Sequence, residues 1–344
     1  AAPALVDIDG DGDLDLLIGT AEGQTVFYRN DGNAYLPVFR LQNPNLLGDG
    51  FGKNLVPRFM DLNADGAPDL SLGNEAGEVW LIHNRGNRNQ PRFCTDTQPS
   101  TTCPNPAKVG ARLSPEDNAA PAWVDWDRDG DLDLMIGKND GTIAFHRNIG
   151  TARSGVWELA QERFEILDAG GYAAPLFADL RGSGLPQLIL PGEGPQIAFY
   201  RIELSGGRPE PWLETRNLMN VLSLGGYQTR LQIASGDLNG DGKLDLILGT
   251  RGGQLLPFIN ETTGDTPAFR SSAAPLLPTP TRAYAAPALA DVDGDGDLDL
   301  LVGNRSGRIE FIQNIGTPKA PHWQVANLNY GGIDVGALST PALY

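Results

Sequence analysis

The sequence contains few of the residues on which most enzymes and zinc sites depend. Only three histidines and two cysteines occur among 344 residues. The chain shows no nucleophile elbow, no phosphate-binding loop and no zinc-ligand spacing, so no catalytic residue is predicted. We therefore expect a protein that is not an enzyme.

Positive charge and long apolar runs are also scarce. Lysine and arginine number 26 against 43 aspartates and glutamates, and the formal net charge is −17. A surface of this sign repels phosphate groups, which argues against nucleic acid as a partner. No apolar run reaches membrane-spanning length, so membrane insertion is not predicted. The chain lacks a signal peptide and an initiating methionine, and we interpret it as a mature product or a fragment.

The abundant feature is an acidic loop that occurs five times with the pattern Asp-x-Asp/Asn-x-Asp-Gly-x-x-Asp, numbered here as positions one to nine. Carboxylates at alternate positions of a tight turn repel one another unless a cation neutralises them, and calcium prefers such an all-oxygen site. The predicted ligands are the side chains at positions one, three, five and nine and the backbone carbonyl at position seven. They are Asp7, Asp9, Asp11, Asp13, Asp15; Asp61, Asn63, Asp65, Ala67, Asp69; Asp125, Asp127, Asp129, Asp131, Asp133; Asp237, Asn239, Asp241, Lys243, Asp245; and Asp291, Asp293, Asp295, Asp297, Asp299. About five calcium ions are therefore the expected cofactors.

Each loop belongs to a longer repeat. The first aspartates of neighbouring loops are 54 or 64 residues apart, and a sixth unit around Asp179 fills the gap before Asp237. This fourth unit has lost most of its carboxylates and is not expected to bind calcium. In the other five units, glycines follow the first aspartate by 12 and 16 residues, an asparagine by 23 and an aromatic residue by 32.

These marks predict four short strands in each unit, with the acidic loop between the first and second strands and the aromatic residue in the fourth. A repeated four-stranded antiparallel unit of this length is typical of a propeller blade, so the predicted fold is an all-β β-propeller. We predict a single domain, 1–344, with six full repeats that begin near residues 1, 55, 119, 173, 231 and 285. The first strand of a seventh repeat is predicted at 339–344.

With these motifs the chain resembles the FG-GAP or VCBS repeat family, whose members include the propeller of integrin alpha-subunits and many bacterial surface proteins. The resemblance extends over almost the whole sequence. It implies a calcium-stabilised propeller in which each ion is held between the first and second strands of a blade. It implies neither a ligand nor a reaction.

The only two cysteines, Cys94 and Cys103, lie in the stretch that lengthens the second unit. A local disulfide between them is favoured, with two free thiols as the alternative. A disulfide indicates an oxidising compartment, and open calcium loops suit millimolar extracellular calcium. We therefore expect an extracellular or cell-surface location.

The last residues, 340–344, repeat the first-strand sequence of the chain. Three interpretations are open: continuation into a seventh blade, packing within a six-bladed ring, or strand addition to a neighbouring copy, which would build dimers or fibres. Continuation or exchange is favoured over internal packing, because each of the six units already has a first strand.

Some single positions carry expectations of their own. Each loop takes the number of its repeat unit, so the five acidic loops are loops 1, 2, 3, 5 and 6. Loops 2 and 5 have Asn63 and Asn239 in place of a carboxylate, so they are expected to bind calcium more weakly. In the fourth unit Arg181 replaces a ligand aspartate, and its guanidinium is expected to neutralise Asp179. Three tryptophans are predicted to be packed, and three others are less constrained and are candidates for a glycan site: Trp126, Trp157 and Trp323, and then Trp80, Trp123 and Trp212.

The function predicted from these observations is that of an exported, calcium-stabilised structural or adhesive module. Its partners are expected to be a protein or a glycan bound through the inter-blade loops, with self-association into fibres through the C-terminal strand. A glycan-binding lectin is the alternative, and a calcium-dependent polysaccharide-active enzyme is a third, less favoured one.

Overall fold

The structure is a computed structural model that describes residues 2–33, 37–87, 90–93, 107–109, 119–161, 167, 174–191, 194, 196–205, 208–219, 231–271, 275–334 and 342–343. The chain divides into two compact units. Unit 1 comprises Ala1–Asn139, Ile143–Phe164 and Ala342–Tyr344, and unit 2 comprises Asp140–Thr142 and Glu165–Pro341. The prediction of a single domain stays a prediction.

Unit 1 contains three antiparallel sheets, each built from four strands that are neighbours in the chain. They are β1 (Ala2–Val6), β2 (Asp15–Gly19), β3 (Thr25–Asn30) and β4 (Phe39–Asn43); β5 (Val56–Met60), β6 (Asp69–Gly73), β7 (Val79–Ile82) and β8 (Ala107–Val109); and β9 (Ala120–Val124), β10 (Asp133–Gly137), β11 (Ile143–Asn148) and β12 (Trp157–Gln161).

Unit 2 contains three further sheets of the same order. They are β13 (Leu176–Ala178), β14 (Gln187–Pro191), β15 (Ile197–Ser205) and β16 (Arg208–Thr215); β17 (Gln232–Gly236), β18 (Asp245–Gly249), β19 (Leu255–Asn260) and β20 (Phe269–Ser271); and β21 (Ala286–Ala290), β22 (Asp299–Gly303), β23 (Ile309–Asn314) and β24 (Trp323–Asn327). A single 3-10 turn, Tyr330–Gly332, is the helical part of the described chain.

The fold class predicted from the sequence is confirmed: six four-stranded antiparallel sheets are the blades of an all-β β-propeller. We number them blades 1 to 6 in chain order. The second strand of every blade is buried at all five positions, because both of its faces are covered. The apolar cores lie between consecutive blades of the same unit, as where Leu17 of blade 1 clusters with Phe59, Leu70 and Leu72 of blade 2. Each such buried side chain stabilises the fold by roughly 1.5–3 kcal/mol.

Blade 2 departs from the strand pattern predicted from the sequence. Phe93, the aromatic residue expected in the fourth strand, forms only an isolated bridge with Asn84. The fourth strand is instead β8, which follows the inserted segment and pairs with β7. The outer edge of β7 has backbone N–H and C=O groups that a further strand can pair with. Because the segment after the insertion pairs there, the outer strand lies further along the chain.

The C-terminal segment also differs from the expectation. A short strand β25 (Ala342–Leu343) pairs in parallel with β1, opposite Ala4 and Leu5, so the sheet of blade 1 has five strands. This pairing is the packing within the chain that the sequence did not favour, while continuation or strand exchange stays a prediction. A first strand pairs with the second strand on one edge only, and its other edge retains backbone groups that another strand can pair with.

Consecutive blades approach closely at the glycine that ends the second strand. In blade 5, a Cβ placed on Gly249 would lie 2.3 Å from the carbonyl oxygen of Ala285. The next residue, Thr250, accepts a hydrogen bond of 3.0 Å from the N–H of Ala285, the residue before blade 6. The same arrangement joins Gly19 and Thr20 to Leu55, and Gly73 and Asn74 to Ala119. Glycine recurs here because no side chain fits between the two backbones.

We predict that Gly249→Ala destabilises the protein by about 2–3 kcal/mol, because the new methyl group forces two backbones apart. The thermal midpoint should then fall by roughly 3–4 °C in differential scanning calorimetry. Gly264→Ala in the same blade is the matched control, since a Cβ there meets no atom within 4 Å. Equal midpoints for the two variants would contradict the close approach.

Candidate metal centres

The five acidic loops connect the first and second strands of blades 1, 2, 3, 5 and 6, as predicted. Position nine of each loop is also the first residue of the buried second strand. The glycine at position six has a positive φ, for example +97° at Gly12 and +94° at Gly296, which lets the chain reverse. The loops therefore lie at equivalent places in their blades.

The carboxylate at position nine connects three parts of its blade. In blade 1, Asp15 Oδ2 accepts the N–H of Ile8 at 3.2 Å, and Asp15 Oδ1 accepts the N–H of Asn30 at 2.7 Å. The other four position-nine residues, Asp69, Asp133, Asp245 and Asp299, form the same pair of bonds. This role in fixing the backbone was not apparent from the ligand pattern. It leaves each oxygen one further lone pair for a cation.

The asparagine at the end of the third strand shapes the next loop, as the sequence indicated. Asn30 Oδ1 accepts the N–H of Gly32 at 3.0 Å and the N–H of Val38 at 2.8 Å. The same two bonds recur at Asn84, Asn148 and Asn314. Asn260 makes the first of them, to Thr262.

Blade 4 keeps the shape of the loop with fewer carboxylates. Asp179 at position one accepts the N–H groups of Ser183 and Gly184 at 3.0 and 2.6 Å, and Gln187 Oε1 accepts the N–H of Leu180 at 2.9 Å. Burial acts to raise the pKa of Asp179, but these hydrogen bonds outweigh it and hold the pKa below its usual value. Hydrogen bonds to Asp179 and Gln187 therefore hold the turn of this loop.

The expectation for Arg181 was wrong. Its guanidinium does not neutralise Asp179. Instead, Nη2 donates to both carboxylate oxygens of Glu214, at 2.7 and 2.5 Å, and the guanidinium lies over the ring of Phe199. The side chain of Glu214, on the outer strand, supplies the carboxylate that the loop lacks. Asp179 is already satisfied by backbone N–H groups, so it does not need a cation.

Carboxylates converge in three loops of the described chain. Each group has three ligand oxygen atoms within 4.8 Å of one another: Asp7, Asp9 and Asp11; Asp125, Asp127 and Asp129; and Asp291, Asp293 and Asp299. These are the three loops with aspartate at position three. In the other two, the side-chain oxygens of Asn63 and Asn239 accept N–H groups of their own loops, each at 2.9 Å. The weaker calcium binding expected of loops 2 and 5 stays a prediction.

The carboxylates of these loops are held at an electrostatic cost. Burial, and then the neighbouring charges, raise the pKa of Asp15, Asp133 and Asp299 to about 7. Burial and the adjacent position-five aspartate raise the pKa of Asp13, Asp131 and Asp297 to about 6. A cation among these groups would relieve both the repulsion and the loss of hydration.

The donor set fits a hard divalent cation. Every side-chain ligand is a carboxylate or amide oxygen, and Asp9 has a buried oxygen, Oδ1, without a hydrogen-bond partner. A buried carboxylate oxygen in this state is unfavourable unless a positive charge meets it. The chemistry of the loops therefore fits calcium, held by the residues predicted from the sequence.

A residue 22 positions after the first aspartate contacts the loop in several blades, which the sequence interpretation missed. Arg147 forms an ion pair with Asp127, Gln313 Nε2 donates to Asp293 Oδ2 at 2.6 Å, and His83 Nδ1 lies 3.3 Å from Asp69 Oδ2. The shared spacing was the available signal. These contacts orient the carboxylates from the third strand.

The tryptophans divide between core and surface. Trp126 is packed against Phe145 and is 2% exposed, and Trp157 packs edge-on against Trp123, so both predictions of packing are confirmed. Trp123 is buried too, with its Nε1 donating to Ser71.

Trp323 is partly buried and packs against the core between blades 5 and 6, as predicted. Trp80 is partly buried between Phe51 and Lys108. Trp212, at 50% exposure, is the exposed tryptophan of the described chain.

Two further predictions rest on features outside these sites. Cys94 and Cys103 lie outside the described residues, so their disulfide stays a prediction. No helix in the described part of the chain is long and apolar enough to cross a membrane.

We predict that the metal-free protein becomes less stable as pH rises from about 4 to about 7. The raised pKa values of Asp15, Asp133 and Asp299 mean that the folded state binds protons more tightly than the unfolded state. Protonation therefore stabilises the fold fully below pH ~4, and this contribution is lost as pH passes ~7. We expect a loss of at least ~2 kcal/mol, measured by thermal unfolding in chelator at pH 5, 6.5 and 8. A midpoint that rises over this range would contradict the prediction.

Comparison with known proteins yields one family and a shared fold. A family model described as FG-GAP-like repeat matches residues 7–70, 61–136 and 227–302, more than half of the chain. The BP39L lectin from Burkholderia pseudomallei is similar with a TM-score of 0.56 and 11% identity, over 98% of this chain and 88% of that chain. BBS1N, in a structure with ARL6DN soaked with mercury, gives a TM-score of 0.49 and 12% identity, over 94% and 81% of the two chains. A comparison with curated protein sequences found no match.

Proposed function

We propose that this chain, which belongs to the FG-GAP-like repeat family, is an exported interaction module whose blades are stabilised by calcium. The propeller fold and the family fit an interaction module. We further propose that it acts by binding, as a structural or adhesive protein, and not by catalysis.

One observation carries the proposal of calcium. Five of six equivalent loops are rich in carboxylates, and the sixth, which lacks most of them, is held by hydrogen bonds and by the ion pair between Arg181 and Glu214. If the carboxylates served only to shape the loop, blade 4 would need them as well. Their concentration in the other five loops therefore supports cation binding.

Calcium would supply a charge that fastens the loop to the start of the second strand. The chain's own residues already order the loop through hydrogen bonds. The side chain at position one accepts an N–H within the turn, position five accepts the N–H of position seven, and position nine accepts the N–H of the asparagine that ends the third strand. About five ions would also bring the formal charge from −17 to about −7, which is an ordinary value for a soluble protein.

Exposed apolar side chains support a protein partner. Large apolar residues are exposed on fourth strands, and in the loops that precede them, in blades 1, 3, 4 and 6: Val38, Leu41, Ile149, Val156, Leu159, Trp212, Leu213 and Ile315. Such residues, carried by rigid strands, are suited to contacts with another protein.

The experiment that tests the module is a binding screen with the whole chain, in millimolar calcium and in chelator, against arrayed extracellular proteins and arrayed glycans. Calcium-dependent binding to a protein target is the expected result. Binding that is equal in chelator would remove calcium from the proposal. Release of reducing sugar from polysaccharides would replace the module with the enzyme alternative.

A lectin is the second candidate, favoured by Trp212. Its indole is half exposed, and Arg201 lies over it at 6.0 Å. An exposed aromatic face beside a polar side chain is suited to a sugar ring. The similar BP39L structure is a lectin by its printed name, although at 11% identity the likeness shows the fold alone. Trp212→Ala should abolish glycan-array binding if the site exists, whereas Leu328→Ala, another exposed apolar residue, should not.

Self-association and location complete the proposal. Because β25 pairs with β1 through the backbone, the same pairing between two chains would join copies. Light scattering of the chain with and without residues 339–344 tests this, and identical masses at all concentrations would oppose it.

Alkylation of the unreduced protein tests the Cys94–Cys103 disulfide, and free thiols would weaken the argument for export.

A further inference from the structure

Position seven of the acidic loop carries side chains of three kinds. It is aspartate in loops 1, 3 and 6, alanine in loop 2 and lysine in loop 5: Asp13, Asp131, Asp297, Ala67 and Lys243. The calcium ion described above takes only the backbone carbonyl of this residue. The side chains therefore have a separate role to explain.

The three aspartates are buried and incompletely satisfied. Asp13, Asp131 and Asp297 are 8%, 6% and 5% exposed, and the Oδ1 atom of each has no hydrogen-bond partner. In each loop the position-five carboxylate lies beside the position-seven carboxylate. Two adjacent carboxylates, one of them with an unpaired buried oxygen, are stabilised by a positive charge between them or by protonation of one carboxyl.

Blade 5 shows where such a charge lies. Lys243 Nζ donates to the backbone carbonyl of Thr262, at 2.8 Å, in the loop after the third strand. Thr262 is matched in blades 1, 3 and 6 by Gly32, Gly150 and Gly316, because all four donate their N–H to the asparagine that ends the third strand. In blade 5 an ammonium group therefore lies between position seven and this carbonyl.

We propose that loops 1, 3 and 6 each hold a second divalent cation beside the first. Its ligands are the position-seven carboxylate, the adjacent position-five carboxylate and the backbone carbonyl of the matching glycine. A hard cation such as calcium is the class of ligand, since all the donors are oxygen atoms. In loop 5 the ammonium of Lys243 binds the equivalent carbonyl and position seven has no carboxylate, and in loop 2 Ala67 offers no ligand. The proposal rests on one premise of the proposed function, namely that these loops are cation sites.

The experiment counts calcium ions bound to the whole chain by equilibrium dialysis against millimolar calcium chloride. We expect eight ions per chain in the natural sequence and five in the triple variant Asp13→Ala, Asp131→Ala, Asp297→Ala. Alanine at position seven is compatible with folding, since Ala67 is buried in loop 2. Ala67→Asp provides the converse variant, because it would add the missing carboxylate beside Asp65 and should raise the count to nine.

The outcomes separate this proposal from the proposed function. Five ions in both the natural chain and the triple variant would overturn the second cation and leave the first in place. A natural count of five that falls further in the triple variant would make the aspartates ligands of the first ion, which also overturns the second. No bound calcium in any variant would overturn the proposed function as well. An unchanged count in Ala67→Asp would oppose the ligand set.

Discussion

Calcium should raise the thermal midpoint of this protein by roughly 10 °C relative to chelator. A single site saturated a hundredfold above its dissociation constant stabilises the folded state by about 2.7 kcal/mol. Five sites of even a tenth of that saturation together contribute on the order of 7 kcal/mol, and a domain of this length shifts by about 1.4 °C per kcal/mol. The effect is large because each ion would offset the burial and the mutual repulsion of the carboxylates, which raise the pKa of Asp15, Asp133 and Asp299.

Differential scanning calorimetry at neutral pH, in millimolar calcium and in chelator, measures this shift. Magnesium at the same concentration is the control for ionic strength and charge, since it prefers a smaller octahedral site and should stabilise the protein much less. Midpoints that agree within a few degrees in all three buffers would show that the acidic loops are held without an ion.

The second large effect concerns the carboxylate at position nine. Asp299→Ala should destabilise the protein by about 3 kcal/mol in chelator, and by more in calcium because a predicted ligand is lost as well. Asp299 is fully buried and accepts the N–H groups of Val292 at 3.1 Å and Asn314 at 2.8 Å, so its removal leaves two buried donors unpaired. Each unpaired donor costs about 1–3 kcal/mol.

Asp295→Ala in the same loop is the matched control. Asp295 is exposed and accepts one N–H, from Asp297, at 3.1 Å. Its loss should lower the midpoint in calcium, because a ligand is removed, and have little effect in chelator. Asp299→Asn should be intermediate, since the amide oxygen of Gln187 already accepts the equivalent N–H in blade 4. If Asp299→Ala mattered only in calcium, position nine would be a ligand and not a backbone anchor.

The sequence predicted the features that depend on local backbone chemistry. Glycine, asparagine and aspartate recur at fixed offsets because the turn at Gly12, the loop after Asn30 and the close approach at Gly249 allow few alternatives. Since these requirements repeat in every blade, the strands, loops and fold class could be predicted from spacing alone.

Features that depend on partners distant in the chain could not be predicted in this way. Arg181 pairs with Glu214, 33 residues away on an outer strand, and not with the nearby Asp179. The outer strand of blade 2 lies beyond the insertion, and β25 uses an edge of β1 whose availability is visible only in the sheet. Spacing shows which residues are equivalent between blades, but not which side chains meet across a sheet.

The carboxylate-poor loop of blade 4 has an evolutionary consequence. Its turn is kept by Asp179 and Gln187, which perform with hydrogen bonds what the other blades would perform with an ion. A loop can thus lose its metal in steps, provided that each carboxylate is replaced by a neutral acceptor, or that its charge is balanced from a neighbouring strand. The same scaffold can therefore be adapted to habitats that differ in calcium by substitutions within single loops, while the blades around them keep their packing.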